Sequence, residues 1–441
     1  MTQAVVSSPW LVVGLGATGW SVAQYLSGRG QAFVLTDTRA EPADLARFLQ
    51  AFPQAVWHPG PLNAEALLEY ETWVVSPGVS LQEPVVQQAQ AAGCRLLGDI
   101  ALFSEAAQRP LIAITGSNGK STVTSLIGHL LQAAGQQVLV GGNIGVPALD
   151  LLTAPLPDFY VLEVSSFQLD TTPHLQAEVA VFLNLSPDHL DRHVTLTAYQ
   201  AAKQRVYLGC RAAVYNQDDP ATWPTQTPAR QHSFSLVDAQ VSQDGAPWLA
   251  FDGVPLMPTR ALSLSGATGR ANVLAALSVM KQLGFEARSL VTALSEFTPL
   301  PHRCVRVGCH SGVDYINDSK ATNIGAALAG IQGLSGDYAQ LWLILGGQGK
   351  GQNFADLAAG LPANVAGVAL IGEAAQPIAQ TLPADCDAWL SETLAQAVEQ
   401  LAQKAKPGDA VVLSPACASF DQFSGFAQRG EVFAACVERL S

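Results

Sequence analysis

Charge is sparse in this chain. Asp, Glu, Lys and Arg make up only 13% of its 441 residues, and acids outnumber the 23 basic residues enough to leave a net charge of −13. The lysines and arginines gather into no run or stripe. A surface that neutralises nucleic-acid phosphates needs such clustering, so no nucleic-acid partner is expected. Long apolar runs are missing as well: none approaches the roughly 20 residues that span a bilayer, and no basic segment leads into an apolar one. The expectation is a monomeric cytoplasmic protein that acts on small molecules, without membrane insertion. Cysteine is scattered: Cys94, Cys210, Cys304, Cys309, Cys386, Cys417 and Cys436 are odd in number and form neither a C-x-x-C pair nor a Cys/His zinc spacing. Reduced thiols follow as the default.

What is present is a succession of short apolar runs that end in glycine or an acid and alternate with stretches of helical period, which is the mark of an α/β fold. The length predicts about three domains. Seams fall at Gly98-Asp99 and at Leu300-Pro301-His302-Arg303, which divides the chain into 1–98, 99–302 and 303–441. Residues 217–260 are polar, Pro-rich and weakly periodic, and predict a small antiparallel patch or long loops.

The run Leu111-Ile112-Ala113-Ile114 leads into Thr115-Gly116-Ser117-Asn118-Gly119-Lys120-Ser121-Thr122, and a helical pattern follows. Strand, glycine loop, lysine and helix start together make a phosphate cradle. Loop N–H groups and the helix dipole attract the anion, Lys120 neutralises it, and the Ser121 hydroxyl suits Mg²⁺. The regular eight-residue Walker spacing fails, because Ile114 stands where its first glycine should be. Glu163 ends another apolar strand, where a carboxylate can hold Mg²⁺ against phosphates. Asn184 to His193 again follows a buried strand and concentrates imidazoles and acids, with His189 as the favoured metal contact. Lys203, in a helical pattern of few charges, reads on its own as a surface lysine with its stem packed down.

Near the start, Gly14-x-Gly16-x-x-Gly19 with Asp37 after the second strand fits a dinucleotide fingerprint. A nicotinamide cofactor and a UDP-sugar satisfy the same physics, with Asp37 or Thr38 taking a ribose or base. In the last unit, the stretches Asp314 to Asn323, Leu345 to Lys350 and Ser414 to Phe423 each place hydroxyl or cationic groups after a strand. Three such turns at strand C-terminal ends predict a site for a small, doubly anionic molecule, with Lys320 and Lys350 as its cations.

Taken in order, Thr115 to Thr122, Gly141-Gly142-Asn143-Ile144-Gly145, Leu162 to Leu169, Asp188 to Arg192, Leu300 to Arg303, Asp318 to Asn323 and Ser414 to Phe423 resemble the Mur ligases of peptidoglycan synthesis from end to end. The last two motifs resemble the branch that adds D-glutamate to UDP-N-acetylmuramoyl-L-alanine. The resemblance implies a Rossmann-like nucleotide-sugar domain, a central P-loop-type ATPase domain and a Rossmann-like C-terminal domain. It implies ATP-driven amide formation through an acyl phosphate, with two Mg²⁺ sites. Gly116, Ser117, Asn118, Gly119, Lys120, Ser121 and Thr122 are then expected to cradle the ATP phosphates. Asn272, Arg303 and Asp318 would bind adenine, phosphate and ribose. Ser121 and Glu163 would share one Mg²⁺, and His189 with a carbamylated Lys203 the second. Ala17, Thr18, Asp37, Thr38, Arg39, Gly78 and Asn143 would receive the UDP-substrate, and Thr322, Lys350, Ser419, Phe420 and Phe426 the D-glutamate. Gly269 departs from the family, which commonly carries Asn there before the Asn matched by Asn272. The rivals are a Mur ligase for another amino acid, a folylpolyglutamate synthase, a nicotinamide-dependent dehydrogenase and a non-catalytic nucleotide binder. Retention of both Lys120 and Glu163 opposes the last.

Overall fold

A computed structural model describes residues 8–440 apart from positions 227, 238, 244, 265, 350 and 385. They form two compact units: the residues up to Phe234 with Ser278–Phe285, and Ser235–Leu277 with the residues from Glu286 on.

The first unit holds two parallel sheets. In the first, Trp10–Val13 lies at the centre, with Phe33–Thr36 and Val56–His58 on one side and Thr72–Val75 and Arg95–Leu97 on the other. The winding reverses at the centre, so the turns after Val13 and Val75 flank the crevice where such sheets take ligands. In the second sheet Leu111–Thr115 runs between Phe159–Glu163 and Val179–Phe182, in a register that sets Ile114 opposite Glu163 and Thr115 opposite Phe182. Every residue of Leu111–Thr115 and Val179–Phe182 is buried, as both faces of the sheet are covered. Val138–Gly142 extends one side, and Ala212–Asn216 then Arg230–Phe234 the other.

One apolar core crosses both sheets, from Val12, Leu15 and Phe48 to Leu162 and Phe182. The helix Asp99–Ala106, which opens at the sequence seam, supplies Phe103; its ring meets Tyr160 edge-on at 5.0 Å.

The second unit contains the expected antiparallel patch as three strands, Gln240–Gln243, Ala246–Phe251 and Val254–Pro258. The prediction for 217–260 needs one correction. Arg230–Phe234 is a parallel edge strand of the phosphate-loop sheet, paired residue for residue with Ala212–Asn216. An edge strand can be polar because one side of it stays wet, which removed the apolar signal.

The unit's main sheet runs Val305–His310, Val313–Asn317, Ala410–Leu413, Leu341–Gly346, Val365–Ile371 and Ala388–Leu390. Only the first pair is antiparallel. Because Ala410–Leu413 inserts between Val313–Asn317 and Leu341–Gly346, the three polar turns read from the sequence leave neighbouring strands. No helix among the described residues is long and apolar enough to cross a membrane.

Candidate active site

The phosphate loop begins where Leu111–Thr115 ends and stops at Gly119, whose φ of +82° lets it cap the helix Lys120–Ala133. The helix thereby turns its unpaired first N–H groups to the loop. Asn118, the residue that breaks the Walker spacing, is clasped by Asn184. The Asn118 N–H donates to Asn184 Oδ1 at 2.9 Å and Asn184 Nδ2 donates to the Asn118 carbonyl at 3.0 Å. Ser186 N–H donates to Ser117 Oγ at 3.0 Å. The loop is therefore held by the turn that follows Val179–Phe182, a brace the local sequence did not reveal. Lys120 Nζ donates to the Gly116 and Ser117 carbonyls at 2.9 and 3.0 Å.

Lys203 is no surface lysine. Its side chain is 1% exposed, donates to the same Gly116 carbonyl at 2.7 Å and stands 4.5 Å from the centre of the Tyr199 ring. Burial, then the charge of Lys120, push its pKa well below the lysine range, while Asp188 and Glu163 pull the other way. The Tyr199 hydroxyl, raised to about 12 by burial, receives a 3.4 Å contact from Ser117 Oγ.

Glu163 is 3% exposed; Oε1 accepts from Asn143 Nδ2 at 2.8 Å, and Oε2 is buried with no partner. The close approach of Asn143 depends on Gly142, where a Cβ would lie 2.4 Å from the Glu163 carbonyl oxygen. Ser121 is buried in the first turn of the neighbouring helix. A carboxylate oxygen kept from water without a donor is costly unless a cation completes it, so Glu163 with the Ser121 hydroxyl fits a hard divalent ion. His189 adopts φ of 54° at the start of Leu190–His193, with its ring 4.9 Å from Phe167 and 6.0 Å from Tyr199. Among the described residues no three His, Cys, Asp or Glu side chains converge on one point.

At the first sheet, Gly14 has φ of +98° and Gly19 lies against its carbonyl, so the fingerprint glycines serve a tight turn. Ala17 and Thr18 open the helix that follows. Asp37 is buried and anchors this turn: it accepts from Leu15 N–H at 2.7 Å and from Arg39 Nε and Nη2 at 2.8 and 2.9 Å. Burial raises its pKa, but Arg39 and the two N–H groups outweigh that and hold it below the carboxylate range. Thr38, Arg39 and Gly78 are exposed at the strand ends.

In the second unit Asp318 is buried, accepting from Cys304 N–H at 3.1 Å and Ser414 Oγ at 2.8 Å. Burial lifts it to about 7, with the two hydrogen bonds and Arg303 opposing. Asn272 is buried in the helix Gly266–Gln282. Gly269 has a steric reason, because a Cβ there would come within 2.7 Å of the Leu264 carbonyl group. Ser419 is buried, Phe420 is exposed, and Thr322, Arg303 and Phe426 are partly buried. Lys320 Nζ stands 4.0 Å from the centre of the Phe426 ring. Lys350 lies outside the described residues.

Sequence reasoning missed Arg429. It is fully buried in the helix Phe426–Glu438, and its guanidinium donates to Ser319 Oγ and to the carbonyls of Ser319, Cys417 and Ala418 at 2.9–3.3 Å. Burial lowers its pKa to about 10. It ties the turn after Asn317 to the turn after Leu413. The only signal was its place just beyond the Ser414 to Phe423 motif.

The architecture and the loop geometry define a class of phosphate-loop enzyme built from three α/β sheets, and family models match it along the chain. The Mur ligase MurD-like N-terminal domain matches residues 8–98, the Mur ligase middle domain 114–279 and the Mur ligase glutamate ligase domain 302–417. The chain belongs to the Mur ligase family. It is 45% identical over 443 residues to UDP-N-acetylmuramoylalanine--D-glutamate ligase of Pseudomonas savastanoi pv. phaseolicola, covering 98% of each chain. It is 44% identical to the enzyme of that name from Pseudomonas aeruginosa, again over 98% of each. Among solved structures it is similar to MurF ligase from Thermotoga maritima in complex with ADP, with TM-score 0.61 and 17% identity over 100% of this chain and 99% of that one. A pseudomurein peptide ligase type C from Methanothermus fervidus gives TM-score 0.56 and 14% identity over 99% and 100%. Both share the fold.

Proposed function

We propose that this chain joins D-glutamate to UDP-N-acetylmuramoyl-L-alanine at the expense of ATP, as a monomeric cytoplasmic enzyme of peptidoglycan precursor synthesis. The observation that carries the reading is the unpartnered buried Glu163 oxygen, set beside a phosphate loop whose Gly116 carbonyl takes two lysines. Full-length similarity to D-glutamate ligases supports the choice of acceptor and amino acid.

The alanyl carboxylate of the acceptor takes the γ-phosphoryl group, and the amine of D-glutamate then displaces phosphate from the acyl phosphate. This chain contributes charge neutralisation and positioning and needs no covalent nucleophile. Lys120 and the helix N–H groups of the Gly116 to Thr122 loop offset the phosphate charge. Asn143, anchored on Glu163, orients the reacting carboxylate. Asn272, Arg303 and Asp318 take the nucleoside side, while Thr322, Lys350, Ser419, Phe420 and Phe426 take the amino acid. Ala17, Thr18, Asp37, Thr38, Arg39 and Gly78 receive the UDP portion. Ser121 with Glu163, and His189 with a carbamylated Lys203, would hold two Mg²⁺ ions, which supply further neutralisation of phosphate charge. An amine kept neutral by burial is the form that adds carbon dioxide, so the depressed pKa of Lys203 favours the carbamate.

Phosphate release measured with ATP, Mg²⁺, the acceptor and a panel of amino acids tests the reading. Release is expected with D-glutamate and not with L-glutamate, L-lysine or diaminopimelate; turnover with a different amino acid, or with a folate in place of the acceptor, would overturn it. In the same assay Lys203→Ala should be nearly inactive and partly rescued by added short carboxylates. Full activity without them would remove its metal role.

A further inference from the structure

Arg192 lies three residues after His189 in the short helix Leu190–His193, and it reaches out of the phosphate-loop sheet's turn to a different sheet. Its Nη2 donates to the Val79 carbonyl at 2.9 Å and the Pro77 carbonyl at 3.3 Å, and its Nη1 to the Gly78 carbonyl at 3.4 Å. Three consecutive carbonyls, more than a hundred residues away in sequence, thus meet one guanidinium. The same group stands 4.4 Å from the centre of the Phe167 ring. Phe167 is fixed in turn: His193 stacks on it at 5.2 Å with the rings 7° apart, and His193 Nε2 sits 2.9 Å from Ser166 Oγ. A cavity of about 270 Å³ opens beside these groups, lined by Ser76, Pro77, Val79, Phe167 and His193.

A carbonyl cluster of this kind demands a planar fork of donors. A lysine ammonium offers its three donors from one compact point, whereas the guanidinium fork spreads its donors across the plane that also lies over the ring. The loop it holds, Pro77 to Val79, leaves the strand that borders the ligand crevice of the first sheet, and the turn it comes from carries His189. We propose that Arg192 is a positioning residue for the nucleotide-sugar substrate: it fixes the Pro77–Val79 loop against the His189 turn, so that a substrate held by the first sheet presents its carboxylate in register with the phosphate-loop sheet. The inference rests on the proposed acceptor, and only the exchange arm of its test is independent of that reading.

The test is Arg192→Gln in the full-length enzyme, read in two ways. Hydrogen exchange on the substrate-free protein should accelerate at the amides of residues 76–81 while the strand Leu111–Thr115 keeps its protection. Steady-state kinetics should show KM for UDP-N-acetylmuramoyl-L-alanine raised about ten- to hundredfold, the equivalent of the charged hydrogen bonds lost, with KM for ATP and kcat little changed. Arg192→Lys, which keeps charge without the fork, should fall between the two. Unchanged exchange in the loop overturns the proposal, as does faster exchange with an unaltered KM for the acceptor. Equal losses for every substrate with a lowered melting temperature would mean a general structural role and also overturn it. Exchange needs no substrate, so a wild-type enzyme inert toward this acceptor would count against the proposed function alone.

Discussion

Asp318 shows what burial does to a single carboxyl group. Enclosed beneath Ser414 and the Cys304 N–H, it is lifted to about 7 from an ordinary value near 4. Below the ordinary value both folded and unfolded chains hold the proton; between about 4 and 7 only the folded chain does. Its stabilising contribution is therefore full at low pH and is lost as pH rises through that window. Melting temperatures measured from pH 4 to 7.5 should fall more steeply for the wild type than for Asp318→Asn; parallel curves would show that the group ionises normally. Residue-level legibility differed sharply between the two lysines on the Gly116 carbonyl. Lys120 was readable because its partners are its own neighbours in the loop. Lys203 was not, because what marks it is burial created by the phosphate loop 87 positions away, and only the family resemblance pointed to it.

At the scale of elements, the helix Gly266–Gln282 carries a departure from the family pattern, Gly269, packed against the Leu264 carbonyl. Restoring the family's asparagine by Gly269→Asn forces a Cβ into occupied space. The expected cost is about 1–3 kcal/mol, seen as a lowered denaturant midpoint in urea unfolding, with no gain in ATP affinity. An unaltered midpoint would show that the backbone yields there. Elements with fully buried faces were legible, since Leu111–Thr115, Val179–Phe182 and Leu341–Gly346 are continuous apolar runs. Edge strands were not. Arg230–Phe234 is half wet, and Val305–His310 is interrupted by a register shift near Gly308, so neither shows an uninterrupted pattern. The fingerprint at Gly14 forms the tight turn its glycines imply, and Asp37 beside it also braces Leu15 and Arg39, an anchoring role that a spacing rule does not reveal.

For the molecule as a whole, the odd and scattered cysteines led to an expectation of reduced thiols, and none of the seven described cysteines forms a disulfide. Ellman titration of the denatured protein without prior reduction should count seven thiols; five or fewer would reveal a disulfide. The order of sheets along the chain was legible from motif order and strand periodicity. The joint core of the first two sheets was not, because the seam at Gly98-Asp99 looks like a boundary while Phe103, Tyr160 and Val12 share one apolar interior.

The position of Ala410–Leu413 sets a timetable for manufacture. This strand follows every other strand of its sheet in sequence, yet it occupies an inner slot, bonded on both sides to Val313–Asn317 and Leu341–Gly346. Until it arrives, those two earlier strands have no partner between them, and Arg429, later still, is absent from the turns it ties. A nascent polypeptide can thus complete the phosphate-loop sheet on the ribosome, while the sheet that holds Ala410–Leu413 must wait for that strand.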